Sequence, residues 1–239
     1  MTTLTAIIGD VHGCLNEFKR LVSLFPSNTR IICAGDLLDK GPNPIETVQY
    51  ARKIGVECVM GNHEWKHVRK YLKADRGQAE GLTGEIKHAY RSFTEADRAW
   101  LNACPTWIEV PGGIVVHAGI PADITMMPYD RYNRSGKYTQ VFYVRYVDDK
   151  GKMVGNTFKS EEGLRFWADT YDGRFGKVYY GHQPFKRDVP VETDHTVGLD
   201  LACVFGGKLC AVLIDGQGKR VDTITVDAES VYSDSYREE

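Results

Sequence analysis

Asp10 and His12 stand in Gly9-Asp10-Val11-His12-Gly13, Asp36 and Asp39 in Gly35-Asp36-Leu37-Leu38-Asp39-Lys40-Gly41, and Asn62 and His63 in Gly61-Asn62-His63-Glu64. Carboxylates, imidazoles and an amide offer oxygen and nitrogen lone pairs but no thiolate. That donor set suits manganese, iron, zinc or nickel better than calcium or a sulfur-loving metal. A glycine ahead of each first donor lets the backbone turn sharply and leaves room for a metal or a phosphate. One Gly-Asp at a strand end is ordinarily only a turn. Three such words in order, each after an apolar run, are hard to explain by turns alone.

Those runs, Leu4-Thr5-Ala6-Ile7-Ile8, Arg30-Ile31-Ile32-Cys33-Ala34 and Val56-Glu57-Cys58-Val59-Met60, are short and rich in β-branched residues, and read as buried strands. Leu15, Phe18, Leu21, Val22 and Phe25 recur at helical spacing after the first, and Asn43-Pro44-Ile45-Glu46 starts a helix after the second, closed by Gly55. Alternating strands and helices predict a parallel sheet, whose ligands gather outside the carboxyl ends of the strands. The three words should therefore converge. The third opens a helix with Trp65, Val68, Tyr71 and Leu72 on one face and Lys66, Arg69, Lys70 and Lys73 projecting outward. Such a basic face is ordinarily just solvated; beside a phosphate site it would also raise the local anion concentration.

Asp75 to Gly84 reads as a mobile loop, and Thr94-Glu95-Ala96-Asp97 as the capping box of a helix carrying Trp100 and Leu101. Trp107-Ile108-Glu109-Val110 and Ile114-Val115-Val116 flank Pro111-Gly112-Gly113 as a hairpin that ends in His117. A second histidine, His182, follows the strand-like Val178-Tyr179-Tyr180-Gly181. Between them, Tyr138 to Tyr146 and Lys152 to Phe158 alternate around Asp148-Asp149-Lys150-Gly151, predicting a hairpin. A helix capped by Ser160 would follow, through Leu164, Phe166 and Trp167, so that residues 136–175 project from the core. Val197 to Val204, Leu209 to Ile214 and Arg220 to Val226 predict a second, mainly antiparallel sheet, and residues 228–239 a frayed tail.

With 239 residues, 42% hydrophobic and 26% charged, the chain is expected to form one domain spanning 1–239. A net charge of −2 points to no nonspecific nucleic-acid surface and no membrane surface. No apolar run approaches the roughly 20 residues of a membrane span, and Met1-Thr2-Thr3 leads straight into a strand, so a cytoplasmic protein is expected. The six cysteines form no C-x-x-C pair and read as reduced core thiols, Cys14 included.

The ordered set G-D-x-H-G, G-D-x-x-D-K-G, G-N-H-E, then V-H-A-G and G-H, resembles the signature of calcineurin-like metallophosphoesterases, over about Ile7 to Leu213. Within them it is most similar to the phosphoprotein-phosphatase branch, which includes bacterial and phage protein phosphatases, symmetrical diadenosine-tetraphosphatases and the phosphatase module of RNA-repair enzymes. Gly198 to Leu209 resembles that branch's closing I-D-T-G-C-V-F-G-G-x-L segment. The resemblance implies an α/β fold, a four-layer α/β/β/α sandwich of two mixed sheets with flanking helices. It also implies two divalent metal ions, manganese first among them with iron, zinc, nickel or cobalt as alternatives, where the sheets meet.

Residue by residue, the resemblance implies Asp10 and His12 as ligands of one metal, Asp36 as the bridge to both, and Asn62, His117 and His182 as ligands of the second. His63 would be the general acid and Asp39 the carboxylate that orients it. Lys40 and Asn62 would meet the substrate phosphate, with Glu64 and Asp200 supporting the ligands from behind. A second phosphate-binding arginine would come from Arg131, Arg134 or Arg145, which the pattern does not separate; His67, His88 and His195 match no motif position and read as surface or packing residues. The implied reaction is phosphomonoester hydrolysis, on phosphoprotein or small phosphoesters, by direct attack of a metal-bridging hydroxide. Hydrolysis of nucleotides in the manner of symmetrical diadenosine-tetraphosphatases is the alternative. A catalytically silent binding module ranks last, because every ligand position and the acid are filled by competent residues.

Overall fold

The structure is a computed structural model and describes residues 4–155 and 163–234. In chain order its strands are β1 (Thr5–Ile8), β2 (Arg30–Cys33), β3 (Glu57–Cys58), β4 (Ile108–Val110), β5 (Gly113–Val115), β6 (Tyr146–Val147), β7 (Arg165–Phe166), β8 (Lys177–Tyr180), β9 (Val191–Glu192), β10 (Thr196–Gly198), β11 (Lys208–Ile214) and β12 (Arg220–Asp227). The α-helices are α1 (Leu15–Ser23), α2 (Pro44–Lys53), α3 (Asn62–Ala74), α4 (Gly84–Ser92) and α5 (Glu95–Asn102).

Two five-stranded sheets carry the fold, ordered β12-β11-β1-β2-β3 and β4-β5-β8-β10-β9. Strand side chains alternate between faces, so β1 and β2 each send one set to either side. Ile7 and Ile32 join Val115, Tyr179, Val197, Cys210, Val212 and Ile214 in a core cluster contributed by both sheets. Ala6, Ile8 and Cys33, one residue out of phase, pack instead with Phe18, Leu21 and Val48 of α1 and α2. Each fully buried side chain of this kind contributes roughly 1.5–3 kcal/mol, and the two-sided burial is what the uninterrupted apolar runs encode.

Both sheets are mixed. β1, β2 and β3 are parallel, as the alternating pattern requires, and β11 joins the same sheet antiparallel to β1, with Ile8 opposite Ala211. In the second sheet β8 runs parallel to both β5 and β10. The C-terminal runs therefore do not build the second sheet as their order suggested: only Thr196–Gly198 enters it, while the hairpin of β11 and β12 completes the first.

The region between the two histidines also differs from its pattern. Gly136–Phe142 is a 3-10 helix, and Val141, Phe142 and Val144 are buried at 1%, 0% and 1% exposure, so this part covers the core; the expected hairpin is confined to the turn at residues 148–151, where Val147 bridges Met153 antiparallel and the Val154 amide donates to Tyr146 O at 3.1 Å. The Val141 carbonyl accepts from the Ala118 amide, directly after His117. Residues 165 and 166 form a strand against Tyr146–Val147 where a helix was expected, because Phe166 packs on Tyr180 and Phe185 and Trp167 on Tyr180. The Ser160 cap and the Asn156–Phe158 end of the expected hairpin lie outside the described residues. The tail is held further than composition implied: the buried Glu17 carboxylate of α1 accepts from the Glu229 amide and the Tyr232 hydroxyl, both at 2.8 Å.

The capping box of α5 forms as its spelling predicts, with the Thr94 hydroxyl accepting from the Asp97 amide and the Asp97 carboxylate accepting from Thr94. The same carboxylate takes Arg52 of α2 at 2.7 Å and Gln49 at 3.3 Å. Burial opposes the Asp97 charge, but these donors outweigh it and hold the carboxyl below the ordinary aspartate range. A depressed value means a stabilisation complete at neutral pH and lost as the pH falls through it. Asp97→Asn should accordingly cost about 1 kcal/mol in urea unfolding at about pH 7, and the gap to the parent should narrow as the pH falls below the ordinary aspartate value of about 3.9. A gap that persists in acid would mean that packing, not charge, makes the contact.

Candidate active site

Gly9-Asp10 follows β1, Asp36 follows β2, Asn62 follows β3, His117 follows β5, His182 follows β8 and Asp200 follows β10, so strands of both sheets aim their carboxyl ends at one place. Backbone contacts stitch these turns together. Asp36 O accepts from the amides of Val11 and His12, at 3.1 and 2.8 Å, and His117 O from that of Gly181 at 2.9 Å. Non-glycine residues in the left-handed region include His12, Asp36, Asp39, Lys40 and His182, with φ between 44° and 66°. Backbone strain is thus concentrated where the donors converge. Two glycines are needed for approach: a Cβ on Gly61 would lie 2.1 Å from Asp36 Oδ1, and one on Gly181 only 1.9 Å from Asp10 Oδ1.

Asp36 is the centre. Its Oδ2 lies 3.6 Å from His12 Nε2, 3.9 Å from His63 Nε2 and 3.4 Å from His117 Nε2. On one side the donor atoms of His12, Asp36 and His63 lie within 4.8 Å of one another, and on the other those of Asp36, His117 and His182. Asn62 Oδ1 closes the second group, 2.8 Å from His117 Nε2 and 3.0 Å from His182 Nδ1. Asp10 borders the first, with Oδ2 3.8 Å from His12 Nε2 and both carboxylate oxygens accepting the His182 amide. Glu64 sits behind, its carboxylate taking the amides of Asp36, Leu37, Leu38 and Gly61 at 2.8 to 3.2 Å and fixing the turn that carries Asp36. Asp200 caps its own turn through the Ala202 amide.

The imidazoles are set to offer lone pairs. Nδ1 of His12 meets Leu38 O and Nδ1 of His117 meets Ala34 O, each at 2.8 Å. A carbonyl only accepts, so each Nδ1 carries the proton and each Nε2 turns a lone pair to the site. Burial, helped by Lys40 at His12 and by Arg145 at His182, lowers both imidazoles well below their ordinary value and keeps them neutral. Burial and the Asp200 and Asp36 carboxylates push Asp10 up, and burial lifts Asp200 to about 6. At Asp36 burial also opposes charge, but the surrounding imidazoles, a charged His63 among them, outweigh it and hold the carboxyl down. His182 Nε2 is buried without a hydrogen-bond partner among the described residues. Crowded carboxylates and imidazole lone pairs converging within a few ångström, His182 through its Nδ1 at 3.1 Å from His117 Nε2, fit divalent cations, and the all-oxygen-and-nitrogen set fits the metals named from sequence.

His63 stands apart. Its Nδ1 is 2.7 Å from Asp39 Oδ2, leaving Nε2 to face Asp36. Burial opposes its charge, yet Asp36 and Asp39 outweigh it and raise the imidazole. Lys40 Nζ lies 3.4 Å from His12 Nε2 and over the Phe205 ring. Of the three arginines the sequence could not separate, Arg134 is spent on the carbonyls of Asn102 and Cys104, and Arg131 lies over Trp107. Arg145 alone of them reaches the site, donating to His182 O at 3.1 Å and facing Asp200, Asp10 and Asp36. His67 is the residue that sequence reasoning passed over: buried, with Nε2 2.7 Å from Asp39 Oδ1. Its position four residues after His63 in a helix, hence on the same face, was the available signal. His88 is exposed, and His195 packs against Tyr171.

Two mixed sheets with buried imidazoles and carboxylates gathered at their strand ends define a metal-dependent phosphoric ester hydrolase. The chain belongs to the calcineurin-like phosphoesterase family, whose model matches residues 3–212. Among curated relatives it is 29% identical to the asymmetrical bis(5'-nucleosyl)-tetraphosphatase PrpE of Geobacillus sp. (strain WCH70), over 95% of each chain. It is equally 29% identical to that of Bacillus subtilis (strain 168), over 96% of each. A crystal structure provisionally named a diadenosine tetraphosphatase superposes with a TM-score of 0.72 at 25% identity, covering 95% of both chains. A serine/threonine phosphatase from Saccharomyces cerevisiae with similarity to human PP5 reaches 0.61 at 17% identity, covering 96% of this chain and 80% of its own, and shares the fold. No helix among the described residues is long and apolar enough to cross a membrane.

Proposed function

We propose that the chain hydrolyses phosphate esters at a two-metal centre held by Asp10, His12, Asp36, Asn62, His117 and His182, with phosphomonoesters as the primary substrates. The observation that carries this is the position of Asp36 between two donor groups, with Lys40 on one side and Arg145 on the other. Two divalent cations held by these residues would acidify a water toward neutrality and offer positive charge to the phosphoryl oxygens. The chain's own groups do the rest. Lys40 and Arg145 neutralise charge that develops on the equatorial oxygens, Arg145 through a planar fork and Lys40 as a point charge. His63, held charged by Asp36 and Asp39, gives its Nε2 proton to the leaving oxygen as the bond from phosphorus to that oxygen breaks. The products are inorganic phosphate and an alcohol.

A nucleotide substrate is the second reading, favoured by the names of the relatives above. Those names specify asymmetrical tetraphosphatases, where the sequence pattern suggested the symmetrical kind. Parallel assays of p-nitrophenyl phosphate, a phosphopeptide and diadenosine tetraphosphate with manganese separate the readings. Unequal products, ATP and AMP, would support an asymmetrical nucleotide hydrolase; two ADP would support the symmetrical one. No turnover of any of the three overturns both.

Arg145→Ala should lower kcat/KM by about ten- to a hundredfold, the worth of a charge-assisted hydrogen bond of about 1.5–3 kcal/mol. Lys40→Ala should cost about tenfold, and Lys40→Arg should retain monoesterase activity. Unchanged kcat/KM in both alanine variants, on monoester and dinucleotide alike, would remove these residues from the phosphate site.

A further inference from the structure

Asp39 is gripped from two sides. Its Oδ2 accepts from His63 Nδ1 and its Oδ1 lies against His67 Nε2, each at 2.7 Å, while His67 Nδ1 is 2.7 Å from the Tyr71 hydroxyl. His63, His67 and Tyr71 occur at four-residue intervals in α3, which stacks them along one helix face. All three are buried, His67 at 1% and Tyr71 at 2% exposure, and the Tyr71 ring is braced by Tyr90 and Phe93.

We infer that His67, backed by Tyr71, is a positioning residue that fixes the plane of the Asp39 carboxylate and thereby aims His63. Asp39 only accepts, so the proton of His67 sits on Nε2, and Nδ1 is left to accept from the Tyr71 hydroxyl. Every donor in the chain then points toward Asp39. With His63 as its only imidazole partner the carboxylate could turn about its χ2 bond; a second donor on the opposite oxygen stops that turn. Lys66 Nζ, at 3.3 Å from Oδ2, is half exposed and touches the same oxygen as His63, so it cannot take the place of His67. The Asp39 backbone is already in the left-handed region at φ 66°, a conformation that surrounding contacts must hold.

The inference rests on the reading of His63 as the acid, and the test separates the two. His67→Leu, His67→Gln, Tyr71→Phe and His63→Asn are assayed on phenyl phosphate and on p-nitrophenyl phosphate, whose leaving group needs little protonation. Bound metal, thermal midpoint and the downfield imidazole N–H proton resonances are measured on each. His67→Leu should lower kcat on phenyl phosphate by about tenfold or more and on p-nitrophenyl phosphate by less than about threefold, the loss expected of a misaimed group. Metal content should be unchanged, and the His63 N–H resonance should move or broaden. His67→Gln, whose side-chain N–H can still reach Asp39, should recover most of the loss, and it decides the matter if the leucine variant is unstable. Tyr71→Phe should fall between the parent and His67→Leu. Equal losses on both esters, or an undisturbed His63 resonance with parental kcat, overturn the inference. If His63→Asn itself shows no dependence on leaving group, the acid assignment falls instead.

Discussion

Asp36→Asn is expected to strip the protein of bound metal and to reduce kcat by two to four orders of magnitude. The carboxylate is the one group common to both donor clusters, with three imidazole nitrogens within 3.9 Å of its Oδ2. An amide keeps the shape, and its oxygen can still accept the His63 amide that Oδ1 takes now, at 3.1 Å. What it loses is the charge, and removing one partner from a buried charged cluster costs about 3–5 kcal/mol, or roughly 10²- to 10⁴-fold if the loss falls on the transition state. Metal content by elemental analysis and kcat on p-nitrophenyl phosphate should fall together. A variant that retains two metals per chain and parental kcat would show that Asp36 does not join the two groups.

Chelation should abolish turnover outright. Among the described residues the converging donors are imidazole nitrogens, carboxylate oxygens and the Asn62 amide oxygen, so manganese, nickel or cobalt should restore the stripped enzyme better than calcium, which prefers an oxygen cage. The fold need not collapse on stripping, because Glu64 holds the Asp36 turn through backbone amides that no metal touches. Activity assays and thermal melts of stripped and reloaded protein check both points. Full activity after chelation would overturn the two-metal reading, and restoration by calcium as effective as by manganese would overturn the ligand set.

The gathering of the candidate site could be read from the chain because each donor follows a strand, and strand ends are what short β-branched runs mark best. Asp10, His12, Asp36, Asn62, His117 and His182 come together at one place. What was hidden depends on packing between distant segments. Arg145 could not be told from Arg131 and Arg134 by pattern; the difference is that a 3-10 turn carrying Val141 and Phe142 packs into the core and delivers it to the His182 carbonyl. The strand at Arg165–Phe166 was misread as helical because Leu164, Phe166 and Trp167 fit either period, and the choice was made by the aromatic surface of Tyr180 and Phe185. The hairpin of β11 and β12 looked like part of a second sheet because chain order is blind to which open edge a late hairpin will meet. The Glu17 anchor of the tail reads from sequence as one more acid on a helix, and only its partners, Glu229 and Tyr232, give it meaning.

The place of β1 has a consequence for biosynthesis. It is a central strand, flanked by β2 and by β11, and its partner Ala211 lies some 200 residues downstream of Ile8. As the chain leaves the ribosome, β1, β2 and β3 can pair with one another early, but the other edge of β1 stays open until some 200 further residues have been made. An open apolar strand edge is a template for the wrong neighbour, and contacts so far apart in sequence close slowly. Nascent chains halted before residue 208 should therefore remain protease-sensitive and bind chaperones. Protection should arrive in one late step, when β11 slides against a strand synthesised some 200 residues earlier.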